Sequence, residues 1–407
     1  MAISENDELI YEHYIGSKIS GKRSDINADT KFRIGSITKV FTAVMIFQLI
    51  EEEKLSLDTK LGTYFPNIVN ADKITVGQML NHSSGIHNFT SDPNYPTLME
   101  KKKSQKDLLK IFYALPSDFE PGSSQNYSNT AYILLGFIIE NETGNPYNEE
   151  VKSRIIDPLD LKRTDYGGKI KTGNNEAQPL SSKDDQWKRF SKETNMSVPR
   201  AAGSMVSTVR DLNEFIDGIF NGKLVSEASL NIMKDTKNGI GHGLFVFPFN
   251  NKKAYGHNGG IDSFVSNTAH IPDDNMTFSI VANGVNTNFN SVILGVLQIY
   301  YGLPFSPPDF SEKIISLDPK TLTNYEGDFS SEMFPLDINI TLKKGALILF
   351  ATGQAAIEIS PISKFKFKYE PAGLVILFDE IDGNVNYDQL KMQQQGREFI
   401  FERKSEK

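Results

Sequence analysis

The segment FRIGSITKVFTAVMIFQLIEEEKLSLD, from Phe32 to Asp58, joins a small polar opening to a long apolar run. Apolar side chains between Val40 and Ile50 recur on several sides of the helix that this run predicts, so we expect the helix to be buried in a core. Lys39 interrupts that pattern one helical turn after Ser36. Either Ser36 caps the helix while Lys39 reaches solvent, or the two side chains take part in chemistry.

Bulk composition limits the classes of function. The chain has 407 residues and a net charge of −8, and it contains no cysteine. This length exceeds one ordinary core, so two domains are the default. No block of Lys and Arg is dense enough to track phosphates, which argues against a nucleic-acid partner. The absence of cysteine excludes disulfides, a thiol nucleophile and a cysteine-zinc site. No apolar run approaches the ~18 residues that cross a bilayer, so no transmembrane segment is expected.

The hydrophobic pattern predicts an α+β fold followed by an all-β tail. A strand at Leu9–Ile15 precedes the apolar helices, and alternating strands with tight turns begin after Gly241. An antiparallel sheet with flanking helices fits this order, with the first strand in the same sheet as the later ones. The proline-rich stretch Gly302–Phe310 predicts a linker. We therefore expect one domain over residues 1–305 and a small barrel-like domain over residues 306–407.

The spacing of Ser36 and Lys39 suits nucleophilic catalysis. Residues three apart lie on one face of a helix, so the amine can reach the hydroxyl. Burial and the positive end of the helix dipole both lower a lysine pKa, which leaves an amine able to take a proton. Taken alone, however, the pair favours capping and solvent exposure, because Ser-x-x-Lys is a weak motif. A second copy, Ser363 to Lys366, lies in a predicted strand, where such residues do not meet.

Two further tripeptides favour the catalytic interpretation of Ser36 and Lys39 over helix capping and solvent exposure. Tyr127-Ser128-Asn129 is the only Tyr-x-Asn among the 15 tyrosines, and His257-Asn258-Gly259 is the only His-x-Gly among the 6 histidines. Tyr127 can relay a proton between the serine, the lysine and a leaving group, and Asn129 can bind the lysine or a substrate amide. Each tripeptide by itself is equally compatible with a core tyrosine or a turn histidine.

Together the motifs resemble the serine β-lactamase-like family of penicillin-interacting enzymes, which includes class C β-lactamases, D-Ala-D-Ala carboxypeptidases, D-aminopeptidases and related esterases. The resemblance covers Leu9 to Asn283 and includes the segments ITVGQMLNHSSGI, AAGSMVSTVRDL and YGHNGGIDSF in family order. It implies a β-lactamase/transpeptidase-like fold, in which an all-helical subdomain accompanies the sheet and its flanking helices. The tail resembles the lipocalin-like domain often fused to such enzymes, with LTNYEGDF at Leu322–Phe329 as its opening strand.

The resemblance also implies catalytic roles. Ser36 would be the acylated nucleophile, and Lys39 and Tyr127 would share the general-base and general-acid work. The backbone amides of Ser36 and Gly260 would form the oxyanion hole. The family needs no metal, and the resemblance implies no cofactor.

Substrate binding is implied for Asn129, His257, Asn258 and Gly259. His257 stands where the lactamases carry the lysine of Lys-Thr-Gly, so a fixed positive charge for a substrate carboxylate is missing at neutral pH. This makes efficient β-lactam hydrolysis unfavourable and favours ester, amide or D-peptide substrates. The pocket itself is expected to depend on the loops Ile86–Pro121 and Gly167–Ser197.

The predicted function is that of a serine hydrolase that forms an acyl-enzyme with a small-molecule or short-peptide substrate. The alternative is a catalytically silent binding or regulatory protein on the same fold. An α/β-hydrolase with His82 as triad base is disfavoured, because no Gly-x-Ser-x-Gly occurs. His82 and His87 likewise lack the third ligand of a metal site.

The start of the chain bears on localisation. Family members usually begin with a helix that packs on the sheet, whereas this chain starts almost on its first strand. A periplasmic or exported location is expected if a leader has been removed, and a cytoplasmic one otherwise. The oligomeric state is left open by the sequence.

Overall fold

A computed structural model describes residues 1–21, 24–183, 186–305 and 312–404, apart from 313, 333, 335–336, 344, 352–355, 370–372, 382 and 395–396. The chain forms two compact units, Met1–Val285 and Asn286–Lys407. The domain boundary predicted after residue 305 stays a prediction, and the predicted linker Gly302–Phe310 lies outside the described residues from residue 306 onward.

The first unit contains a six-stranded antiparallel sheet. Its strands, from one edge to the other, are Glu8–Glu12, Ala2–Glu5, Met276–Ala282, Phe264–Ile271, Lys252–Ile261 and Phe245–Phe249. Ala2–Glu5 pairs with Met276–Ala282, and Glu8–Glu12 pairs with Ala2–Glu5. The predicted first strand therefore lies in the same sheet as the strands from beyond Gly241, as the sequence predicts. Shorter strands form a three-stranded sheet in the order Phe32–Arg33, Met205–Ser207 and Asp165–Tyr166, and a hairpin of Leu180–Lys183 with Gln186–Arg189.

The first unit also contains the following helices. The α-helices are Thr38–Glu51, Val76–Leu80, Tyr95–Leu98, Gln105–Phe112, Asn129–Thr143, Tyr147–Val151, Val209–Phe220 and Glu227–Lys234. A π-turn spans Lys152–Ile156, and 3₁₀ turns span Gly35–Ile37, Leu61–Thr63, Phe89–Ser91, Thr172–Asn174, Arg200–Ala202 and Pro272–Asp274. None of the described helices is both long enough and apolar enough to cross a membrane.

Two of these helices form the centre of the core and position the site. Thr38–Glu51 is buried on nearly every side, because all residues from Thr38 to Phe47 are shielded from solvent. Asn129–Thr143 packs against it and is bounded by local chemistry: the Ser128 hydroxyl accepts from the amide of Ala131 at the start, and Gly144 takes a left-handed conformation (φ +74°) at the end. Lys39 and Asn129, the motif residues on these two helices, therefore lie where the helices begin.

The described part of the second unit consists of strands together with a 12-residue helix at Phe289–Tyr300 and two short helical turns at Pro319–Leu322 and Thr323–Tyr325. Eight antiparallel strands close into a barrel: Gly327–Ser330, Ile338–Lys343, Ala346–Ala351, Ile357–Pro361, Lys366–Tyr369, Leu374–Ile381, Asn384–Gln394 and Arg397–Arg403. Phe329 pairs with Arg403 to complete the ring. Side chains fill a barrel of this strand number, and its core includes the buried rings of Tyr325, Phe367 and Phe378. The prediction of a small all-β barrel is confirmed.

The second Ser-x-x-Lys copy lies in this barrel and is not a site. Ser363 and Lys366 close a tight turn through their backbone atoms, just before the strand Lys366–Tyr369. The Lys366 amine is paired with Glu312, and the Ser363 hydroxyl accepts from the amide of Phe365. The strand predicted over this copy is wrong for Ser363, which lies in the turn, but both side chains have structural partners, as the sequence predicted.

Candidate active site

Ser36 and Lys39 lie together at the start of the buried helix. Ser36 occupies the 3₁₀ turn Gly35–Ile37, and Lys39 is the second residue of the α-helix that follows. Lys39 Nζ lies 3.0 Å from Ser36 Oγ. Lys39 is fully buried, so the interpretation that it extends to solvent is wrong. Ser36 is not the helix N-cap either, since the helix begins two residues later.

The partners of Lys39 define what its amine can do. Nζ donates to Asn129 Oδ1 at 2.8 Å and to the carbonyl oxygen of Ala202 at 2.7 Å. Burial holds the pKa of Lys39 well below its usual value. A neutral amine has two N–H groups and one lone pair. In that neutral form, the carbonyl oxygens of Asn129 and Ala202, which can only accept, would occupy the two N–H groups, and the lone pair would be left for the hydroxyl of Ser36.

Tyr127 approaches Ser36 from the other side. Its hydroxyl donates to Ser36 Oγ at 2.7 Å, and Lys39 Nζ lies 4.8 Å from the centre of its ring. Burial raises the pKa of Tyr127, so the side chain is a neutral phenol. Ser36 Oγ therefore lies within hydrogen-bond distance of both the Tyr127 hydroxyl and the Lys39 amine.

Asn129 is held in place by two residues that sequence reasoning missed. Its Nδ2 donates to Asn88 Oδ1 at 3.3 Å and to Thr90 Oγ1 at 3.0 Å, and its backbone amide donates to Asn88 Oδ1 at 3.1 Å. Both polar ends of the Asn129 side chain are thus used within the protein. The available signal was the polar segment NHSSGIHNFT, whose residues 81–90 follow a short apolar helix.

His82 packs against Tyr127, and none of its described hydrogen bonds involves Ser36. The centroids of the two rings are 4.4 Å apart with an angle of 37° between the ring planes, and His82 Nδ1 accepts from the backbone amide of Ser128. Burial, with a further contribution from nearby Lys39, holds the pKa of His82 well below its usual value. His87 lies apart, with its ring nitrogen 2.5 Å from Asp118. Within the described residues, no three His, Asp or Glu side chains converge as metal ligands would.

Close backbone contacts at two glycines bring the strand that carries His257-Asn258-Gly259 next to Ser36. A methyl group at Gly35, whose φ is +50°, would stand 2.8 Å from the amide nitrogen of Gly260, and one at Gly259 would stand 2.0 Å from the carbonyl oxygen of Ile34. The Ser266 hydroxyl donates to that same carbonyl at 2.9 Å. Backbones approach this closely only where side chains are absent. The end of the Lys252–Ile261 strand is thereby fixed against the turn that carries Ser36.

His257 and Asn258 point to opposite sides of their strand. His257 is buried, and its ring lies 4.3 Å from that of Phe245 and 6.3 Å from that of Tyr127. Burial and the nearby Lys39 lower the pKa of His257 to about 3, so the ring is neutral. Asn258 is exposed. The structure thus brings Ser36, Lys39, Tyr127 and Asn129 into one hydrogen-bonded group and places His257 beside it.

A cavity of about 240 Å³ opens beside this group. Ser36, Asn129 and Gly260 line one part of it. Most of the remaining lining comes from the loops Ile86–Pro121 and Gly167–Ser197, as the sequence predicts. These loops contribute Phe89, Thr90, Tyr95, Met99, Phe190 and Thr194.

Several known proteins are similar to this chain. The β-lactamase family model matches residues 1–298. The chain belongs to the β-lactamase family. A putative D-alanyl-D-alanine carboxypeptidase of Escherichia coli (strain K12) is 28% identical over 193 residues, which cover 42% of this chain and 43% of that protein.

Two solved structures extend this family assignment. A D-stereospecific amidohydrolase from Streptomyces sp. is 30% identical with a TM-score of 0.61, over 70% of this chain and 88% of that one. The D-amino acid amidase from Ochrobactrum anthropi SV3, complexed with D-phenylalanine, is 26% identical with a TM-score of 0.67, over 74% and 93% of the two chains. The family assignment and the β-lactamase/transpeptidase fold predicted from the motifs are both confirmed.

Proposed function

We propose that this protein is a serine hydrolase that cleaves ester, amide or D-amino-acid peptide bonds through an acyl-enzyme on Ser36. The observation that carries the proposal is the 3.0 Å contact between Ser36 Oγ and a buried amine whose two N–H groups already have acceptors. A serine hydroxyl needs a base to become nucleophilic, and this amine is the base.

The chemistry follows from the contacts. Ser36 Oγ attacks the substrate carbonyl carbon as its proton passes to Lys39, and the oxyanion that forms is bound by the amides of Ser36 and Gly260. The Tyr127 hydroxyl, 2.7 Å from Ser36 Oγ, donates a proton to the departing alkoxide or amine and is reprotonated from Lys39. Water then attacks the ester carbonyl on Ser36 by the same proton path in reverse, which releases the acid and restores the hydroxyl.

The charge of the site bears on the substrate. The neutral, buried His257 offers no cation where the lactamases carry a lysine. Efficient hydrolysis of β-lactams, whose carboxylate needs such a partner, is therefore not part of the proposal. The similarity to a D-amino acid amidase and a D-stereospecific amidohydrolase supports the cleavage of amide bonds next to a D-configured acyl group.

Labelling of the full chain with a fluorophosphonate tests the proposal. We expect stoichiometric labelling that Ser36→Ala abolishes, together with Ser36-dependent turnover of 4-nitrophenyl acetate. Ser363→Ala, in the second Ser-x-x-Lys copy, is the matched control and should label like the parent. Equal labelling of Ser36→Ala would end the assignment, and absence of both labelling and turnover in the parent would favour a catalytically silent binding protein.

A further inference from the structure

The cavity beside Ser36 has a predominantly apolar wall. Phe89, Tyr95, Met99 and Phe190 face it, and Ile261 adds to the same side. Phe89 is buried, and its ring meets those of Tyr95 and Phe112 edge to face, at centroid distances of 5.5 and 5.3 Å. Rings held by such contacts keep their orientation and offer a preformed apolar surface to a ligand.

The only carboxylate in this lining already has partners within the protein. Asp262 is ion-paired with the buried guanidinium of Arg33, which also pairs with Glu193. It also accepts from the backbone amide of Thr194 at 3.1 Å and from the Thr194 hydroxyl at 2.6 Å. Its side chain is entirely shielded from solvent, so it has no free face for a substrate cation.

The other lining residues add no charge. Burial raises the pKa of Tyr95 to about 12, which makes it a neutral phenol. The remaining described residues of the lining are apolar, glycine, or neutral polar side chains such as Thr90 and Asn129. Within this part of the chain, neither a substrate carboxylate nor a substrate ammonium would find a partner of opposite charge.

We propose that this cavity binds the acyl side of the substrate and selects an uncharged group of about the size of one aromatic ring. This inference rests on the proposed function, since it deepens the description of the same site. An ionic group that enters an apolar cavity loses its hydration without gaining a partner, whereas an aromatic ring gains by leaving water. The volume of about 240 Å³ accommodates a single ring with its linker. The substrate class is therefore esters or amides of neutral arylalkyl or N-blocked aromatic acids, and free amino-acid amides and dicarboxylic monoesters are poor substrates.

A set of 4-nitrophenyl esters with a common leaving group tests this selectivity. The acyl groups are acetate, phenylacetate and three 4-substituted phenylacetates that carry ethyl, carboxylate or ammoniomethyl. We expect kcat/KM, divided by the alkaline hydrolysis rate, to be at least about tenfold higher for phenylacetate than for acetate. Both charged esters should fall at least about tenfold below the neutral ethyl ester. Equal turnover of a charged ester and the ethyl ester would overturn the proposal.

Two variants locate the effect. Phe190→Ala should lower the ratio of phenylacetate to acetate kcat/KM by at least about fivefold, because it removes one wall of the cavity. Trp187→Ala, three residues upstream and partly exposed, is the matched control and should leave the ratio unchanged. An unchanged ratio in Phe190→Ala would contradict the assignment.

Binding to the Ser36→Ala protein separates this inference from the proposed function. Titration calorimetry with 4-ethylphenylacetamide should show binding that Phe190→Ala weakens, while the 4-carboxy and 4-ammoniomethyl amides bind at least about tenfold more weakly. Failure of this selectivity overturns the pocket assignment even if acetate is hydrolysed. Selective binding without any ester turnover would retain the pocket and reject the hydrolase.

Discussion

The backbone of Gly260 lies so close to Gly35 that a methyl group on Gly35 would stand 2.8 Å from its amide nitrogen and 2.9 Å from its carbonyl oxygen. Gly35 precedes the proposed nucleophile, and Gly260 supplies a proposed oxyanion-hole amide. The relative position of the two proposed oxyanion-hole amides, those of Ser36 and Gly260, therefore depends on one contact between two glycines. Gly35 has a positive φ at this contact.

Gly35→Ala should reduce kcat/KM for 4-nitrophenyl acetate by about 10²–10³-fold, as loss of one oxyanion donor does. The methyl group must displace Gly260, and alanine is strained at φ +50°. The affinity for a boronic acid, whose tetrahedral adduct resembles the reaction intermediate, should fall in parallel. Gly173→Ala, which has open space around the added methyl group, serves as control. Full activity of Gly35→Ala would show that this contact does not position the site.

Lys39→Met should lower kcat/KM by about 10²–10⁴-fold, the usual contribution of a general base. It should also change stability in a pH-dependent way. Burial lowers the pKa of Lys39 in the folded state, so below the usual lysine pKa the unfolded chain binds a proton that the folded chain does not. The unfolding free energy of Lys39→Met relative to the parent should therefore rise as pH falls. Chemical denaturation at several pH values measures this, with Lys366→Met as control. A pH-independent difference would mean that Lys39 is charged in the fold.

The rate should depend on pH through Lys39 and not through His257. Activity needs the neutral amine, so kcat/KM should rise with pH through a group whose pKa is well below that of free lysine. His257→Gln should retain this acid limb, because the pKa of about 3 keeps His257 neutral throughout the range in which the limb falls. A profile that is flat from mildly acidic to alkaline pH, or a limb that disappears in His257→Gln, would contradict the assignment of the base.

His257 should make the fold sensitive to acid. Its pKa is lowered from 6.5 to about 3, chiefly by burial, so between these values protons bind the unfolded chain preferentially. As the pH is lowered through that range, this residue alone should reduce the unfolding free energy by about 1.4 kcal/mol per pH unit. In His257→Gln the slope of the unfolding free energy against pH should be smaller by the contribution of one proton, about 1.4 kcal/mol per pH unit. The exposed His13 provides the matched substitution, His13→Gln. An identical slope in His257→Gln and the parent would show that the ring is protonated in the fold.

Asn88→Ala should impair catalysis although Asn88 does not contact Ser36 in the described hydrogen bonds. It removes the acceptor for both the side chain and the backbone amide of Asn129, which in turn orients the amine of Lys39. A misplacement of about 1 Å can cost about 10²-fold, and the loss should fall on kcat more than on KM. Asn94→Ala, at an exposed position of the same loop, is the control. Unchanged kcat in Asn88→Ala would mean that Thr90 alone positions Asn129.

Residues whose chemistry depends on local spacing could be predicted from the sequence. Ser36 and Lys39 are one helical turn apart, so their contact needs only a helix at that point. Tyr127, Asn129 and His257 were recognised because their tripeptides occur once each and in family order. Asn88 and Thr90 were missed, because asparagine and threonine in a loop carry no signal until their distant partner is known.

The sequence by itself determined the α+β architecture, the all-β tail and the identity of the motif residues, because hydrophobic periodicity and residue spacing are local properties. Only the tertiary structure decided that Lys39 is buried and which residues accept its hydrogen bonds. It also decided that the cavity wall beside Ser36 is largely aromatic and has no unpaired charged side chain. Those properties depend on segments far apart in the chain, such as Arg33, Thr194 and Asp262, whose burial and pairing exist only once the chain has folded.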